Sequence, residues 1–359
     1  INKLKILIFS FLSLLIFTAL FSGQNSIPPI DRDEARFAQA SRQMVESNDY
    51  LNIKFQDEIR AKKPVGIYWL QSFSANIFGS EDISSYRLPS LLSAFISIIF
   101  LGLITRLIFP FDQTLLVTLF FASSFIFVSE AHLAKTDSTL LSLICIQQFF
   151  LLKILMSKKK SFKVEYLYPI FLWVAFAFGV LVKGPVSFAI LFSTILSFCF
   201  FEKSLDLLKS IKPILGILLC SIIILPWFIA IQESTQGLFL QKAFSEDFFN
   251  KLQSGQEGHG AWPGTHVLLL SISLWPIATF LPSMILFCKE NINSLTVKFL
   301  ISWILPFWIM IELTPTKLIH YSLPVLPAIT ILTIGGLFQF RHNINKIKNL
   351  FLKNLIFLM

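Results

Sequence analysis

The chain has few charged residues and few cysteines for its length. Only 14% of its 359 residues are charged, whereas 55% are hydrophobic. A soluble domain carries roughly a quarter charged residues, so this composition excludes an ordinary soluble enzyme and a disordered protein. The four cysteines form no CxxC pair and each lies in an apolar stretch, which argues against a disulfide-stapled module and favours free buried thiols. The mean hydropathy of +0.71 indicates a polytopic membrane protein.

The apolar residues form stretches that are long enough to cross a bilayer, which takes about 20 residues in a helix. The sequence therefore predicts an all-α polytopic membrane protein with 10–11 transmembrane helices, in one domain over residues 1–359. The first stretch is predicted to be an uncleaved anchor, because no cleavage motif of small residues follows it. The predicted spans are 4–21, 88–109, 114–130, 138–156, 166–182, 185–201, 213–231, 266–288, 297–311 and 321–339, and an eleventh begins near residue 350.

The net charge of +9 is distributed unevenly over the connections between the spans. If the N-terminus is cytoplasmic, the inner segments hold sixteen Lys and Arg residues, and the outer ones hold five when the long first loop is left out. This is the positive-inside pattern of membrane proteins, so the excess charge does not indicate a nucleic-acid partner. The pattern predicts a cytoplasmic N-terminus and two long outer loops, at residues 22–87 and 232–265.

The first outer loop is predicted to contain two helices. Asp31, with Glu34 three residues later, resembles a capping box, and the helix that it begins is expected to end near Asn48. A second helix is expected after Pro64. Its apolar and aromatic residues favour an amphipathic helix in the membrane interface. They are Ile67, Tyr68, Trp69, Phe73 and Ile77.

Ionisable residues gather at the outer ends of several spans. One such residue alone is explained by snorkelling to the interface, but ionisable groups at membrane depth are costly and often mark a site. They occur in the segments Glu130–Asp137, Lys183–Pro185, Lys251–Gly260 and Glu312–Tyr321. The histidines of this face form no zinc-specific spacing such as HEXXH, so a divalent metal stays an open alternative and no other cofactor is predicted.

Such a face suits the transfer of a sugar from a lipid phosphate. The leaving group is then a phosphate, which needs cations rather than a general acid, and Lys63, Lys251 and Lys317 are candidates, with Arg36 as a bidentate partner. The acceptor needs a base, for which Asp33 is the first candidate with Asp137 in support. A base opposite a phosphate clamp is the geometry of a single displacement with inversion. The alternative is that these residues cap a helix or anchor the chain to lipid headgroups.

A set of short motifs resembles a known family in its order along the chain. The run Asp31–Met44 resembles the start of the first periplasmic loop of bacterial aminoarabinose transferases, which belong to the dolichyl-phosphate-mannose protein mannosyltransferase family. The run Arg60–Leu70 resembles the next signature. Five further segments match in turn: Ala134–Asp137, Lys183–Pro185, Leu225–Trp227, Ser254–His259 and Lys317–Tyr321.

The resemblance implies a GT-C fold in the bacterial inner membrane and a polyprenyl (undecaprenyl) phosphate sugar donor used on the periplasmic side. It implies catalytic roles for Asp33 and Asp137. It assigns donor-phosphate contacts to Lys63, Arg36, Tyr321 and, less directly, Lys251. The remaining ionisable residues of the motifs are expected to support the site: Glu34, Lys62, Lys183, His259 and His320, with Lys317 among the phosphate-binding cations.

Two departures from the family bear on the substrate. Aminoarabinose transferases usually have an acid, a metal ligand in that branch, immediately before the lysine, whereas this chain has Lys62 before Lys63. The sequence also ends near residue 359, where relatives continue with further spans and a C-terminal periplasmic domain. We therefore expect either a shorter branch or an incomplete sequence, and a metal site of that kind is not expected.

Several functions fit the pattern. The leading hypothesis is a membrane glycosyltransferase whose acceptor is lipid A or a related envelope glycolipid. A protein O-glycosyltransferase of the same family is an alternative. A transporter or flippase for a lipid-linked sugar is another, although transporters place ionisable groups near the bilayer midplane and these charges gather at the outer interface. A third alternative is a non-catalytic partner of an envelope enzyme.

Overall fold

The structure is a computed structural model that describes residues 3–157, 161–243 and 260–340. Apart from one short hairpin, the regular elements in these ranges are helices. The first half contains α1 (Lys3–Phe21), α2 (Arg32–Ser47), β1 (Lys54–Phe55), β2 (Glu58–Ile59), α3 (Gly66–Phe78), α4 (Ile83–Ile108), α5 (Phe111–Ala122), α6 (Phe125–Ala131) and α7 (Asp137–Met156).

The second half begins with a π-helical turn, Lys163–Leu167, which runs into α8 (Tyr168–Lys183). It continues with α9 (Pro185–Glu202), α10 (Asp206–Ser210), α11 (Pro213–Ser234), α12 (Leu238–Lys242), α13 (Thr265–Ser273), a 3₁₀ turn (Ile277–Phe280), α14 (Leu281–Asn291) and α15 (Leu295–Leu313). A last span, α16 (Ile319–Phe340), begins with the 3₁₀ turn Ile319–Val325.

The prediction of an all-α polytopic protein is confirmed. Within the described ranges, seven helices are long and apolar enough to cross a membrane, or nine if each bent helix pair is one span. These nine coincide with nine predicted spans, and α1 covers the remaining one, at 4–21. The predicted start of an eleventh span near residue 350 lies outside the described residues.

Two predicted spans are bent rather than straight. The helices α5 and α6 meet at 63° after Ala122, and the segments on either side of Leu274–Pro276 meet at 119°. Pro276 has no backbone N–H to donate, so a regular helix does not continue through it. At the first bend, the carbonyl of Phe121 accepts hydrogen bonds from both the hydroxyl (2.7 Å) and the backbone N–H (3.0 Å) of Ser124, and such local hydrogen bonds compete with the regular helix.

The first outer loop folds onto the bundle around a core of its own. Phe37 and Met44 of α2 and Tyr68 of α3 are buried together with Trp227 of α11 and Phe239 of α12. The two predicted helices of this loop are confirmed, but the β1–β2 hairpin between them was not predicted. This core fixes α2 and α3 at the end of the bundle where the charged motifs lie.

The helix α3 divides its apolar residues between two environments. Trp69, Phe73 and Ile77 are exposed, as expected for a helix in the membrane interface. Tyr68 is fully buried instead, and its hydroxyl accepts a hydrogen bond from Arg60 Nε (3.1 Å). Ile67 is fully buried as well. The expectation that Ile67 and Tyr68 belong to the interfacial face is therefore wrong, because both side chains pack into the core of the loop.

Candidate functional site

The helix that carries Asp33 begins as predicted, at Asp31. The Asp31 side chain accepts hydrogen bonds from the backbone N–H groups of Asp33 (2.7 Å) and Glu34 (3.4 Å), which satisfies two unpaired donors of the helix end. The Asp33 side chain is 54% exposed, and its Oδ1 lies 3.7 Å from Arg36 Nη1. Asp33 thus presents a carboxylate beside a guanidinium on the open side of α2.

Glu34 points in the opposite direction, into the protein. Its carboxylate accepts two hydrogen bonds from Arg87 and one from the backbone N–H of Ala134 (2.9 Å). Both side chains of the Glu34–Arg87 pair are fully buried. Glu34 was expected to support the site directly, but its contacts instead tie α2 to α4 and to the turn before α7.

Asp137 and Lys183, both predicted site residues, form a buried ion pair with each other. Lys183 Nζ donates to Asp137 Oδ1 (2.5 Å), and both side chains are nearly inaccessible. The same ammonium lies 5.9 Å from the ring centroid of Tyr321, within range of a cation–π contact. His320 packs edge-on against Tyr321, with ring centroids 5.3 Å apart. The structure therefore joins three motifs that are far apart in the sequence.

A second ion-pair group connects this cluster to α2. Lys135 Nζ donates to Asp31 Oδ2 (3.0 Å) and to Glu130 Oε1 (3.2 Å), and Glu130 Oε1 lies 3.8 Å from His320 Nδ1. Burial opposes the charge on Lys135, but the carboxylates of Glu130, Asp137 and Asp31 outweigh it and raise its pKa. Burial likewise opposes the charge on Asp31, yet Lys135 and the N-cap hydrogen bonds lower its pKa.

Asp31, Glu130 and Lys135 were not predicted as site residues. The sequence placed all three inside charged motifs, but it gave no sign of which partner each would meet. Within the described part of the chain, Glu130 Oε2 is buried and accepts no hydrogen bond. A buried acceptor without a donor is costly, and such atoms in native sites call for a functional explanation.

The segment around Lys63 docks onto the segment around Lys183. A Cβ on Gly66 would lie 2.8 Å from the carbonyl oxygen of Leu181, and one on Gly184 would lie 3.8 Å from Pro64 Cγ. Only glycine permits the backbone approach at Gly66. Lys63 is half-buried and lies in this segment, three residues before Gly66. Its role in binding the donor phosphate stays a prediction.

Lys317 caps the C-terminal end of α15. Its ammonium donates to the carbonyls of Ile311 (2.8 Å), Glu312 (2.5 Å) and Thr314 (2.6 Å) at the end of α15. A lysine that caps a helix C-terminus in this way complements the open carbonyls and the helix dipole. The expectation that Lys317 clamps the donor phosphate finds no support in this geometry. Lys251 and His259 lie outside the described residues.

Metal binding was left open by the sequence. Among residues 3–157, 161–243 and 260–340, no group of three or more His, Cys, Asp or Glu side chains is arranged to hold a metal ion. Lys62 occupies the position before Lys63, and an ammonium cannot serve as a ligand to a cation. The described residues therefore do not fit a metal at this place.

The chain is similar to membrane glycosyltransferases in sequence and structure. Residues 62–229 match the model of the dolichyl-phosphate-mannose-protein mannosyltransferase family. An uncharacterised Aquifex aeolicus protein is 25% identical over 91% of this chain and 62% of its own length. An undecaprenyl phosphate-alpha-4-amino-4-deoxy-L-arabinose arabinosyl transferase of Yersinia enterocolitica is 25% identical, over 84% of this chain and 54% of its own length.

The fold is shared with two kinds of solved structure. ArnT from Cupriavidus metallidurans, bound to undecaprenyl phosphate, superposes with a TM-score of 0.84 at 19% identity, over 94% of this chain and 60% of that protein. The oligosaccharyltransferase of Archaeoglobus fulgidus gives 0.65 at 13% identity, over 95% and 52%.

These relatives are longer than the chain, which spans between half and two thirds of their length. The matches nonetheless run through nearly all of the bundle described above and confirm the GT-C fold that the motifs implied. The chain is thus a multi-pass membrane protein with the fold of ArnT, and its residues 62–229 resemble the dolichyl-phosphate-mannose-protein mannosyltransferase family.

Proposed function

We propose that the chain is a glycosyltransferase that moves a sugar from a polyprenyl (undecaprenyl) phosphate to an envelope acceptor. The observation that carries the proposal is the buried Asp137–Lys183 pair beside Tyr321, connected through Lys135 to the helix that bears Asp33. The site thus has a preorganised cationic part and an exposed carboxylate. Relatives named as arabinosyl transferases that use an undecaprenyl phosphate donor support the same reaction.

The reaction needs charge stabilisation on one side of the sugar and a base on the other. The acceptor oxygen bonds to the anomeric carbon while the bond from that carbon to the donor phosphate oxygen breaks, which inverts the anomeric centre. Lys63 and Lys183 neutralise the charge that develops on the polyprenyl phosphate, and Tyr321 contacts it. Asp33 takes the acceptor proton, and Arg36 holds the Asp33 carboxylate.

The remaining predicted residues take supporting roles in this proposal. Asp137 fixes the Lys183 ammonium, and His320 lines the same cluster through Tyr321 and Glu130. Lys317 and Glu34 maintain the fold of the outer face rather than contact substrate. Contacts of Lys251 and His259 with the donor stay predictions.

The acceptor is proposed to be lipid A or a related glycolipid, and the reaction is proposed to take place on the periplasmic side with the N-terminus in the cytoplasm. The sidedness rests on the distribution of Lys and Arg. It is tested by labelling a cysteine introduced at exposed Asp57 with a membrane-impermeant maleimide. Labelling in intact spheroplasts supports the orientation, and labelling only after lysis contradicts it.

Transfer is tested with the purified chain in lipid nanodiscs, radiolabelled undecaprenyl-phosphate sugars, and lipid A or an envelope extract. Asp33→Asn is expected to lower the rate by about 10²–10⁴-fold because it removes the base. Lys63→Ala is expected to weaken donor binding and transfer together. Asp57→Asn and Lys54→Ala, at exposed hairpin positions, are matched controls that should keep the wild-type rate.

Three outcomes are informative. Transfer by the wild type and both controls, but not by Asp33→Asn, supports the proposal. Full transfer by Asp33→Asn removes the proposed base. If no protein transfers any of several sugars to any acceptor, the proposal is contradicted. The alternative of a transporter or flippase for a lipid-linked sugar is then favoured.

A further inference from the structure

The carboxylate of Glu130, near the end of α6, has two oxygens in different surroundings. Its side chain is nearly inaccessible, and Oε1 lies 3.2 Å from Lys135 Nζ and 3.8 Å from His320 Nδ1. Within the part of the chain that the structure describes, Oε2 is buried and accepts no hydrogen bond. Protonation turns a carboxylate oxygen from an acceptor into a donor and removes a buried charge. Oε2 is therefore a suitable position for a proton.

Charged groups from several elements face Glu130 and His320. They come from the N-cap of α2, the turn before α7, the start of α7 and the end of α8. Among the described residues, these groups are Asp31, Lys135, Asp137 and Lys183. Together with Glu130, three carboxylates thus face two ammonium groups, and one added proton balances these five charges. An unbalanced charge is costly where water is excluded.

His320 offers a second position for the same proton. A proton on Nδ1 makes an imidazolium that faces the Glu130 carboxylate at 3.8 Å, whereas a proton on Glu130 leaves both side chains neutral. In each case the pair holds one proton and the charges around it are balanced. The imidazole is brought to Glu130 by the 3₁₀ turn at the start of α16.

The pair adjoins residues that the proposed function assigns to the donor phosphate. The ring of His320 packs edge-on against Tyr321, and Lys183 Nζ lies 5.9 Å from the centroid of the same Tyr321 ring. A phosphate bound there adds negative charge next to the three carboxylates. Like charges at short range repel strongly away from bulk water, so loss of the proton weakens phosphate binding. By linkage, a bound phosphate strengthens the hold on the proton.

We propose that Glu130 is a positioning residue of the donor site, which shares one proton with His320 and takes up that proton when the donor phosphate binds. This inference rests on the proposed function, since it needs the donor phosphate to bind beside Lys183. When the pair holds the proton, one carboxylate fewer competes with the phosphate for the ammonium groups of Lys135 and Lys183. Glu130 thus acts on the phosphate through these neighbours and not by contact.

Proton uptake on binding tests the inference without any transfer reaction. The full chain in lipid nanodiscs is titrated with the methyl ester of undecaprenyl phosphate, a phosphodiester whose single charge stays constant from about pH 5 to 8, the range in which histidine titrates. Calorimetry in buffers of different ionisation enthalpy counts the protons taken up for each ligand bound. The variants are Glu130→Gln and Glu130→Asp. Glu81→Gln is the matched control, because Glu81 is exposed and pairs with Arg42.

The wild type and Glu81→Gln are expected to take up a proton on binding. Their affinity should fall as the pH rises, by up to about tenfold per pH unit, the limit for linkage to one proton. Glu130→Gln is neutral at every pH, so it should take up no proton and keep one affinity over this range. Glu130→Asp should restore the pH dependence, which a purely structural role would not explain.

Two results would overturn the inference. One is proton uptake by Glu130→Gln equal to that of the wild type, and the other is a wild type that binds the phosphodiester with the same affinity at every pH. A wild type that does not bind the phosphodiester at any pH contradicts the proposed function, on which the inference rests.

Discussion

Glu34 and Arg87 are joined by two hydrogen bonds, of 2.7 and 3.0 Å, although neither side chain is accessible to solvent. Arg87 Nη1 also donates to the carbonyls of Gln24 (2.8 Å) and Ile27 (2.7 Å). The pair therefore fixes the linker after α1, the helix α2 and the helix α4 to one another. Glu34 and Asp33 are neighbours in the chain, so the buried contacts of Glu34 also hold the backbone that carries the exposed Asp33 carboxylate.

Breaking this pair from one side should destabilise the protein strongly. Glu34→Gln leaves the Arg87 charge buried without a counter-charge, which typically costs about 3–5 kcal/mol of unfolding free energy. Thermal and SDS-titrated unfolding in detergent measure the loss. Arg42→Ala, which removes the solvent-exposed pairs with Glu46 and Glu81, is the control and should leave the unfolding free energy nearly unchanged, since exposed pairs contribute little. A Glu34→Gln variant as stable as this control would contradict the role assigned to the pair.

Single and double substitutions of the Asp137–Lys183 pair should affect stability and transfer activity differently. Asp137→Asn and Lys183→Gln each leave one buried charge uncompensated, so each single variant should be less stable than the double variant. Transfer should be lost in all three, because the double variant restores neutrality without restoring the cation at the donor phosphate. Melting temperatures and transfer rates of the four proteins measure this. Activity that returns in the double variant would show that the pair is only structural.

Gly66→Ala should separate α3 from α8. The new methyl group would lie 2.8 Å from the Leu181 carbonyl oxygen, and such overpacking typically costs about 1–3 kcal/mol. The melting temperature should fall, and transfer should fall with it because the segment that carries Lys63 is displaced from the end of α8, which carries Lys183. Gly102→Ala, whose added Cβ meets Thr118 Cγ2 at 3.4 Å, is the matched control and should be tolerated. Equal melting temperatures for the two variants would contradict this prediction.

The stability supplied by Asp31 should depend on pH in one direction. Because Lys135 and two backbone N–H groups lower the pKa of Asp31 below its ordinary value of 3.8, its carboxylate stabilises the folded state fully above that value. The contribution is lost as the pH falls from about 3.8 through the lower pKa of the folded state. The difference in melting temperature between wild type and Asp31→Asn should thus be constant from about pH 7 to 5 and shrink below about pH 4. A difference that disappears near pH 6 would indicate another group.

Local signals predicted the helices of the first outer loop well. The N-cap at Asp31 and the end of α2 at Asn48, in a left-handed conformation with φ 52°, follow from side-chain capping and from the tolerance of Asn for that conformation. The buried face of α2 was not predicted. It runs through Glu34, Phe37, Ala38 and Ser41. These residues have the i, i+3, i+4, i+7 spacing of a buried helix face. The first of them is the charged Glu34, so the face does not look apolar in the sequence.

The sequence by itself determined which segments are helical, where the chain crosses the membrane, and that ionisable groups gather at one end of the spans. Those properties depend on residues near one another in the chain, through periodicity, capping and apolar length. Only the tertiary structure decided which charge meets which. Asp31 and Lys135 are 104 residues apart in the sequence, and Asp137 and Lys183 are 46 apart.

The same distinction separates Glu34 from Asp33. They are neighbours in the chain and identical in charge, yet one is buried against Arg87 and the other is 54% exposed beside Arg36. A helix turns each successive residue by about 100°, so the docking of α2 onto α4 decides which carboxylate is buried and which stays exposed.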